Sequence, residues 1–391
     1  MNARRILLEL FHAALRAVDG RALVNRALRD SSGPVAVFAV GKAASAMALG
    51  AHDALADRIE EFFVVTKDGH VDSQLRRVPG VTILETAHPV PDERSLAAGA
   101  ELMRRVASLR GDIRPVFLVS GGSSSLVELL HEGGSLDALR ALNERGLAAG
   151  WDIATLNAER TRISRLKGGG IARLLGGRDA LALFISDVPG DDPGVIGSGL
   201  LGRGGGEDGI ARVIVANIGV AVGAAAEAGA AHGLALEASP RRFDGDVEEV
   251  ANAFVAAMRA CPVDGLVWGG ESTVRLPATH GRGGRNTHLA LAIARQLRAN
   301  ETWRVLAAGT DGTDGPTDDA GALVDSGTIE RAEIAGCDVE RAWREFDSGT
   351  ALEASGDLVH TGPTGTNVGD ILIAIKQSAH PLRGEPLPRM L

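Results

Sequence analysis

The residues best equipped for chemistry gather in a handful of short loops. The run Val40-Gly41-Lys42-Ala43-Ala44-Ser45 places a cation immediately after an apolar strand, at what reads as a helix start. Backbone N–H groups and an ammonium there both favour an anion, although a solvated lysine at a helix start would look the same. Ser120-Gly121-Gly122-Ser123-Ser124-Ser125 follows another apolar run. Its small side chains let backbone and hydroxyl donors close on phosphate oxygens, and a serine-capped helix is the plainer alternative. Ser186-Asp187-Val188-Pro189-Gly190-Asp191-Asp192-Pro193 sets three carboxylates directly behind a third run. Mg²⁺ is typically held by one or two carboxylates with water and substrate phosphates, and Asp187 and Asp192 are the expected ligands. Aspartate beside Pro and Gly also serves ordinary turns.

Further along, Gly269-Gly270-Glu271-Ser272-Thr273 is followed by Gly281-Arg282-Gly283-Gly284-Arg285-Asn286, which opens a helix. Arginine grips phosphate or carboxylate bidentately, and flanking glycines permit close approach. The segment from Gly309 to Asp319 carries Asp311, and a late hydroxyl-rich stretch, Thr361 to Asn367, is similarly small. The former superficially suggests a calcium loop but lacks the bidentate glutamate at the twelfth position. Lysine, arginine, glycine-rich turns and clustered carboxylates together suit a nucleotide and Mg²⁺. Phosphoryl transfer needs such parts because its catalysis is mostly positioning and charge neutralisation. No Ser-His-Asp order or zinc spacing competes.

These loops need elements that aim them. Val35–Val40, Phe62–Thr66, Val116–Ser120, Leu181–Ser186, Val213–Ala216, Leu266–Trp268 and Val305–Ala308 are continuous apolar runs, as expected of strands covered on both faces. Ala/Leu-rich segments such as Ala43–Leu55, Ser95–Leu109 and Val220–His232 read as helices between them. The alternation predicts α/β architecture with parallel, doubly wound sheets whose ligands sit beyond the strands' carboxyl ends. A break near Leu236–Gly245 divides the chain into an expected larger domain over 1–238 and a smaller one over 239–391, with a small-molecule site in the cleft between them.

Bulk properties narrow the function. With 50 acidic against 41 basic residues and a net charge of -9, the chain lacks the basic footprint of a nucleic-acid binder. Cys261 and Cys337 have no metal-ligand spacing and cannot form a disulfide framework, so a reducing, cytoplasmic setting is expected. Glu9, His12 and Arg16 interrupt the first apolar stretch at helical spacing, which reads as an amphipathic helix and not a signal peptide. No stretch approaches the roughly 20 apolar residues of a membrane span.

Taken in order, the loops resemble the glycerate 2-kinase family, whose C-terminal part is the MOFRL domain. The resemblance runs from about Phe38 to Ile373 and rests on Gly41–Ala44, His88-Pro89-Val90-Pro91-Asp92, Ser120-Gly121-Gly122, Lys167-Gly168-Gly169 and Ser186–Asp192. It continues through Gly270–Val274, Gly281–Asn286, Gly309–Thr317 and Thr361–Val368. It implies ATP- and Mg²⁺-dependent phosphorylation of D-glycerate at its 2-hydroxyl. It also implies a Rossmann-like N-terminal domain and a smaller α/β C-terminal domain. Lys42 and Arg285 match the family's active-site lysine and arginine. Ser120, Gly121, Gly122, Ser123, Ser124, Lys167, Glu271, Asp311 and Asn367 complete the expected substrate- and phosphate-binding set. The partners expected are D-glycerate and ATP, with no nucleic acid or membrane, and a homodimer is allowed.

Three departures qualify the match. Where the family continues Gly-Ser-Gly with Pro-Thr-Val-Pro-Asp, this chain reads Gly197-Ser198-Gly199-Leu200-Leu201-Gly202-Arg203-Gly204-Gly205-Gly206. The family segment Asn-x-Val-Arg appears as Asn157-Ala158-Glu159-Arg160, and Ser123-Ser124-Ser125 stands where Gly-Ser-Ala is usual. Two other functions compete with the kinase. A hydroxypyruvate reductase would use NAD(P)H, but no G-x-G-x-x-G follows the first strand. A catalytically silent relative would bind nucleotide without turnover.

Overall fold

A computed structural model describes residues 3–149, 151, 153–204, 208–277 and 279–376. These residues form two compact units. One comprises residues 18–217 with the short segment 363–368, and the other the described parts of 1–17, 218–362 and 369–391.

The first unit is built on strands β1 (Val35–Val40), β2 (Ile59–Lys67), β3 (Val81–Thr86), β4 (Arg114–Val119), β5 (Ala180–Ile185) and β6 (Ile210–Ala216). They lie in the order β3-β2-β1-β4-β5-β6, and every pairing is parallel. All six residues of β1 are buried, as its unbroken apolar run requires. Phe38 of β1 stacks on Phe117 of β4 at 5.3 Å between ring centres. The strand order reverses between β1 and β4, and a doubly wound sheet offers its ligand crevice beyond the carboxyl ends at that point. Helices α2 (Gly20–Leu28), α3 (Ala44–Leu55), α4 (Glu93–Ala107), α5 (Ser123–Leu126), α6 (Leu136–Ala148), α7 (Ile153–Ile163) and α8 (Gly170–Leu175) complete the unit.

The second unit begins with α1 (Ala3–Ala17), whose buried face is Ile6, Leu7, Leu10, Phe11 and Ala14. Each such large side chain, removed from water, contributes about 1.5–3 kcal/mol. Its remaining elements start with α9 (Ile218–Ala228), β7 (Leu236–Ala238), β8 (Phe243–Asp246), α10 (Val247–Ala260), β9 (Gly265–Thr273) and α11 (Arg285–Ala294). After them come β10 (Trp303–Gly309), β11 (Gly321–Asp325), α12 (Thr328–Ile334), α13 (Val339–Arg344), α14 (Ser348–Ser355), β12 (Leu358–Val359) and β13 (Asp370–Lys376). The strand order is β12-β11-β10-β13-β9-β7, with β8 also paired to β9.

Three expectations differ from what is found. The second sheet is mixed and not parallel. The last strand, β13, enters between β9 and β10 and runs antiparallel to both, and β11 also runs antiparallel to β10. The compact units divide at Asn217/Ile218 and not at 238/239, because α9 packs on β9 and the first helix packs on α9. Gly269–Thr273, expected as a loop, is the second half of β9, held in register by β8 on one side and β13 on the other. The seven apolar runs read as strands all lie within or at the ends of β1, β2, β4, β5, β6, β9 and β10.

Candidate functional site

In the first unit, the loops after β1 and β4 meet at the sheet's switch point. The backbone N–H of Lys42 donates to the carbonyl of Gly121 at 2.9 Å, and that of Ala43 donates to Ser120 Oγ at 3.0 Å. A buried serine hydroxyl thereby ties the entry of α3 to the serine-rich turn. Asp187, behind β5, reaches the same turn. A β-carbon on Gly121 would lie 1.8 Å from Asp187 Oδ2 and 2.1 Å from Asn367 Nδ2, so only glycine leaves room for both side chains. Asn367 Nδ2 donates to that Asp187 oxygen at 2.9 Å. Lys42, Gly121, Asp187 and Asn367, drawn from four separated loops, therefore converge. The side chain of Lys42 also lies close to Gly122, its Cγ being 3.1 Å from where a β-carbon would stand.

The serine-rich turn has a second side. Ser124 Oγ shares a 2.7 Å hydrogen bond with Ser198 Oγ, which in turn donates to Asn157 Oδ1 at 2.9 Å. Ser198 adopts the left-handed conformation (φ 58°) that non-glycine residues seldom take, as strained residues at binding sites often do. Ser123 Oγ is buried without a hydrogen-bond partner among the described residues. Beside Gly122, Ser124 and Ser125 opens a cavity of about 200 Å³, also lined by His88, Asn143, Arg160 and Lys167. Lys167 is fully buried and ion-paired to the equally buried Glu128. Burial pushes the Lys167 ammonium below its ordinary pKa, and Glu128 opposes that shift.

Asp192, expected with Asp187 as a metal ligand, accepts from the backbone of Gly194 at 2.8 Å and pairs with the exposed Arg203 at 2.7 Å. Asp191 accepts from Asn217 Nδ2 at 2.7 Å. Among the described residues, no group of three or more His, Cys, Asp or Glu side chains is gathered as a metal cluster. Gly205 and Gly206, in the altered stretch after Ser198, lie outside the described residues.

In the second unit, Arg285 is the first residue of α11. Its Nε and Nη2 meet Asp370 at 2.6 and 3.0 Å, and its Nη1 meets Glu271 at 2.5 Å. Burial disfavours the guanidinium charge, yet Asp370 and Glu271 outweigh it and raise its pKa further. Asp314 caps the same helix, accepting from the N–H groups of Asn286 at 2.8 Å and Thr287 at 2.7 Å. A β-carbon at Gly284 would lie 2.4 Å from that carboxyl group. Burial nevertheless lifts Asp314 to about 6. Asp311 is buried, with its carboxylate accepting from Thr313 at 3.0 Å. Arg282 pairs with Asp319 at 3.1 Å and Glu353 at 2.6 Å, a structural tie for its loop.

The structure thus brings together Lys42, Ser120–Ser124, Asp187 and Asn367 in one unit, and Glu271 and Arg285 in the other. Lys167 is placed behind the serine-rich turn with its charge already balanced. Sequence reasoning missed Glu128, Asn143, Arg160, Asp314 and Asp370. Of these, Asp370 stood beside a quoted motif, while Arg160 carried no signal beyond its place in a departing segment.

Residues 6–228 match a family model described as a domain of unknown function, DUF4147, and residues 265–370 match the MOFRL family. The D-glycerate 2-kinase of Thermotoga maritima is 32% identical over 96% of this chain and 98% of its own length. A protein from Agrobacterium vitis named provisionally as a hydroxypyruvate reductase is 36% identical over 95% of this chain and 94% of its own. The crystal structure of the glycerate kinase of Thermotoga maritima superposes with a TM-score of 0.83 at 31% identity, covering 95% of this chain and 99% of that one. With two family models in sequence, near-complete coverage and a shared fold, the chain belongs to the MOFRL-domain glycerate 2-kinase family.

Proposed function

We propose that this protein transfers the γ-phosphoryl group of ATP to the 2-hydroxyl of D-glycerate, giving 2-phosphoglycerate. The observation that carries the reading is the meeting of the Lys42 loop with the serine-rich turn at the point where the first sheet reverses strand order. Backbone donors, serine hydroxyls and an ammonium there match what phosphate oxygens require. Lys42 stabilises negative charge on the phosphoryl group, and the backbone and hydroxyls of Ser120–Ser124 orient it. Arg285 takes the second cationic role, held in one rotamer by Asp370 and Glu271. Asp187 and Asp192 are the carboxylates that would hold Mg²⁺. Hard oxygens of this kind, with water and nucleotide phosphates, make up its usual shell, and the bound cation neutralises phosphate charge.

A reductase reading has support in the names of some relatives. Against it, the loop after β1 carries Lys42 where a dinucleotide fold needs glycine. One pair of assays separates the two. ADP release should depend on D-glycerate, and NADH should not be oxidised in the presence of hydroxypyruvate. NADH oxidation without ADP release would reverse the assignment.

A further inference from the structure

The 200 Å³ cavity beside the serine-rich turn holds an arginine in an unusual state. Arg160 is only partly accessible, and among the described residues its one hydrogen bond runs from Nε to the neutral Asn143 Oδ1 at 2.9 Å. It makes no ion pair there, so both Nη groups of its planar fork lack a partner. Nearly every other arginine around the sites described here faces a carboxylate directly. Arg160 and Lys167 supply two positive charges to this region, and Glu128, bonded to Lys167, supplies one negative charge. The cavity is therefore left with one uncompensated cation, against which burial works by lowering the guanidinium's pKa.

We propose that this cavity is the acid subsite and that Arg160 grips the carboxylate of the hydroxy acid bidentately, with Asn143 fixing the guanidinium plane. The inference rests on the kinase reading and adds to it which part of the chain selects the acceptor. A single carboxylate matches both the charge and the fork geometry. The volume is below the roughly 300–1,000 Å³ of sites for drug-sized ligands, so a three-carbon acid fits and a nucleotide does not. Gly122 and Ser124 line the same cavity, so an acid anchored by its carboxylate presents the rest of its skeleton to the turn assigned to phosphate.

The test compares the full-length wild type with Arg160→Lys and Arg160→Gln, each checked for an unchanged melting profile. Calorimetry measures D-glycerate binding, and the ADP-release assay measures turnover. KM for D-glycerate should rise tenfold or more in Arg160→Lys and further in Arg160→Gln, with KM for ATP within twofold. Calorimetric affinity for D-glycerate should fall in parallel. Equal D-glycerate binding by wild type and Arg160→Gln overturns the proposal whether or not the wild type turns over, as does the absence of binding by the wild type. Binding that depends on Arg160 in a wild type without kinase activity upholds the acid subsite and removes the kinase reading instead.

Discussion

Asn367 donates to Asp187 Oδ2 at 2.9 Å, and a β-carbon on Gly121 would intrude to within 1.8 Å of that same oxygen. The obstruction would strike the ends of two side chains and not backbone, so the fold can absorb it while the site cannot. Gly121→Ala should therefore melt within a few degrees of wild type. It should lose about a hundredfold in kcat, the scale on which small misplacements of reacting groups register. Calorimetric melting beside the ADP-release assay checks both halves.

Lys42 enters α3 with its backbone tied to Gly121. Lys42→Ala should leave that backbone tie intact and remove the charge. Turnover should fall by about a hundredfold or more, as for loss of one donor aimed at developing negative charge. A rate within a few-fold of wild type would show that the ammonium takes no part.

Arg285 bridges Asp370 and Glu271, and lysine cannot replace a planar fork that spans two carboxylates. Arg285→Lys should lower kcat with little change in KM for either substrate, the pattern of an interaction made only in the transition state. Arg285→Ala also strands the buried Asp370, at a cost to stability of about 1–3 kcal/mol. Denaturant unfolding reads the second effect independently of the first.

Asp187→Asn and Asp192→Asn should each shift the Mg²⁺ dependence of the rate to higher concentration, with the larger shift at Asp187, whose carboxylate reaches the turn at Gly121. Superimposable Mg²⁺ titrations of both variants and wild type would make these carboxylates turn residues only.

Two groups on or at α11 pull stability in opposite directions as pH changes. His288 stacks between Trp343 at 4.2 Å and Phe346 at 4.8 Å, and burial lowers it from 6.5 to about 4. Because its folded pKa is depressed and the neutral form is the one buried, its contribution is present above about 6.5 and lost as pH falls through 4. Asp314 is raised from 3.8 to about 6, so its contribution is present below 3.8 and lost as pH rises through 6. Each change is worth roughly 3 kcal/mol, which leaves the two nearly balanced across pH 4–6. His288→Phe should make stability rise less with pH across that window than in wild type, and Asp314→Asn should make it rise more. Urea unfolding at half-unit intervals of pH measures both slopes. Identical slopes in all three proteins would refute the assignment.

The first sheet was legible because parallel strands covered on both faces leave continuous apolar runs, and Val35–Val40 and Val116–Val119 are such runs. Lys42, Ser120 and Asp187 were legible for a related reason, since each stands one or two residues past a buried strand. The second sheet was less so. Its antiparallel order depends on a strand arriving from the end of the chain, and no local pattern in Asp370–Lys376 states its neighbours. Arg160 was invisible as a site residue, because an arginine inside a helix reads as a solvated face until the cavity around it is seen. Gly269–Thr273 was misread as a loop because its glycines mask a strand that backbone pairing alone maintains.

Chain order gives the segment 363–368 a further significance. A ribosome would finish nearly all of residues 18–217 early, and domains generally fold as units during synthesis. Asn367 emerges about 180 residues after its partner Asp187. The turn around Gly121 therefore lacks this partner until residue 367 has been made, and a chain stopped before that point can pack most of its first unit without closing the Asp187–Asn367 contact. A closed Asp187–Asn367 contact in this fold reports synthesis past residue 367, whereas compactness of residues 18–217 alone does not.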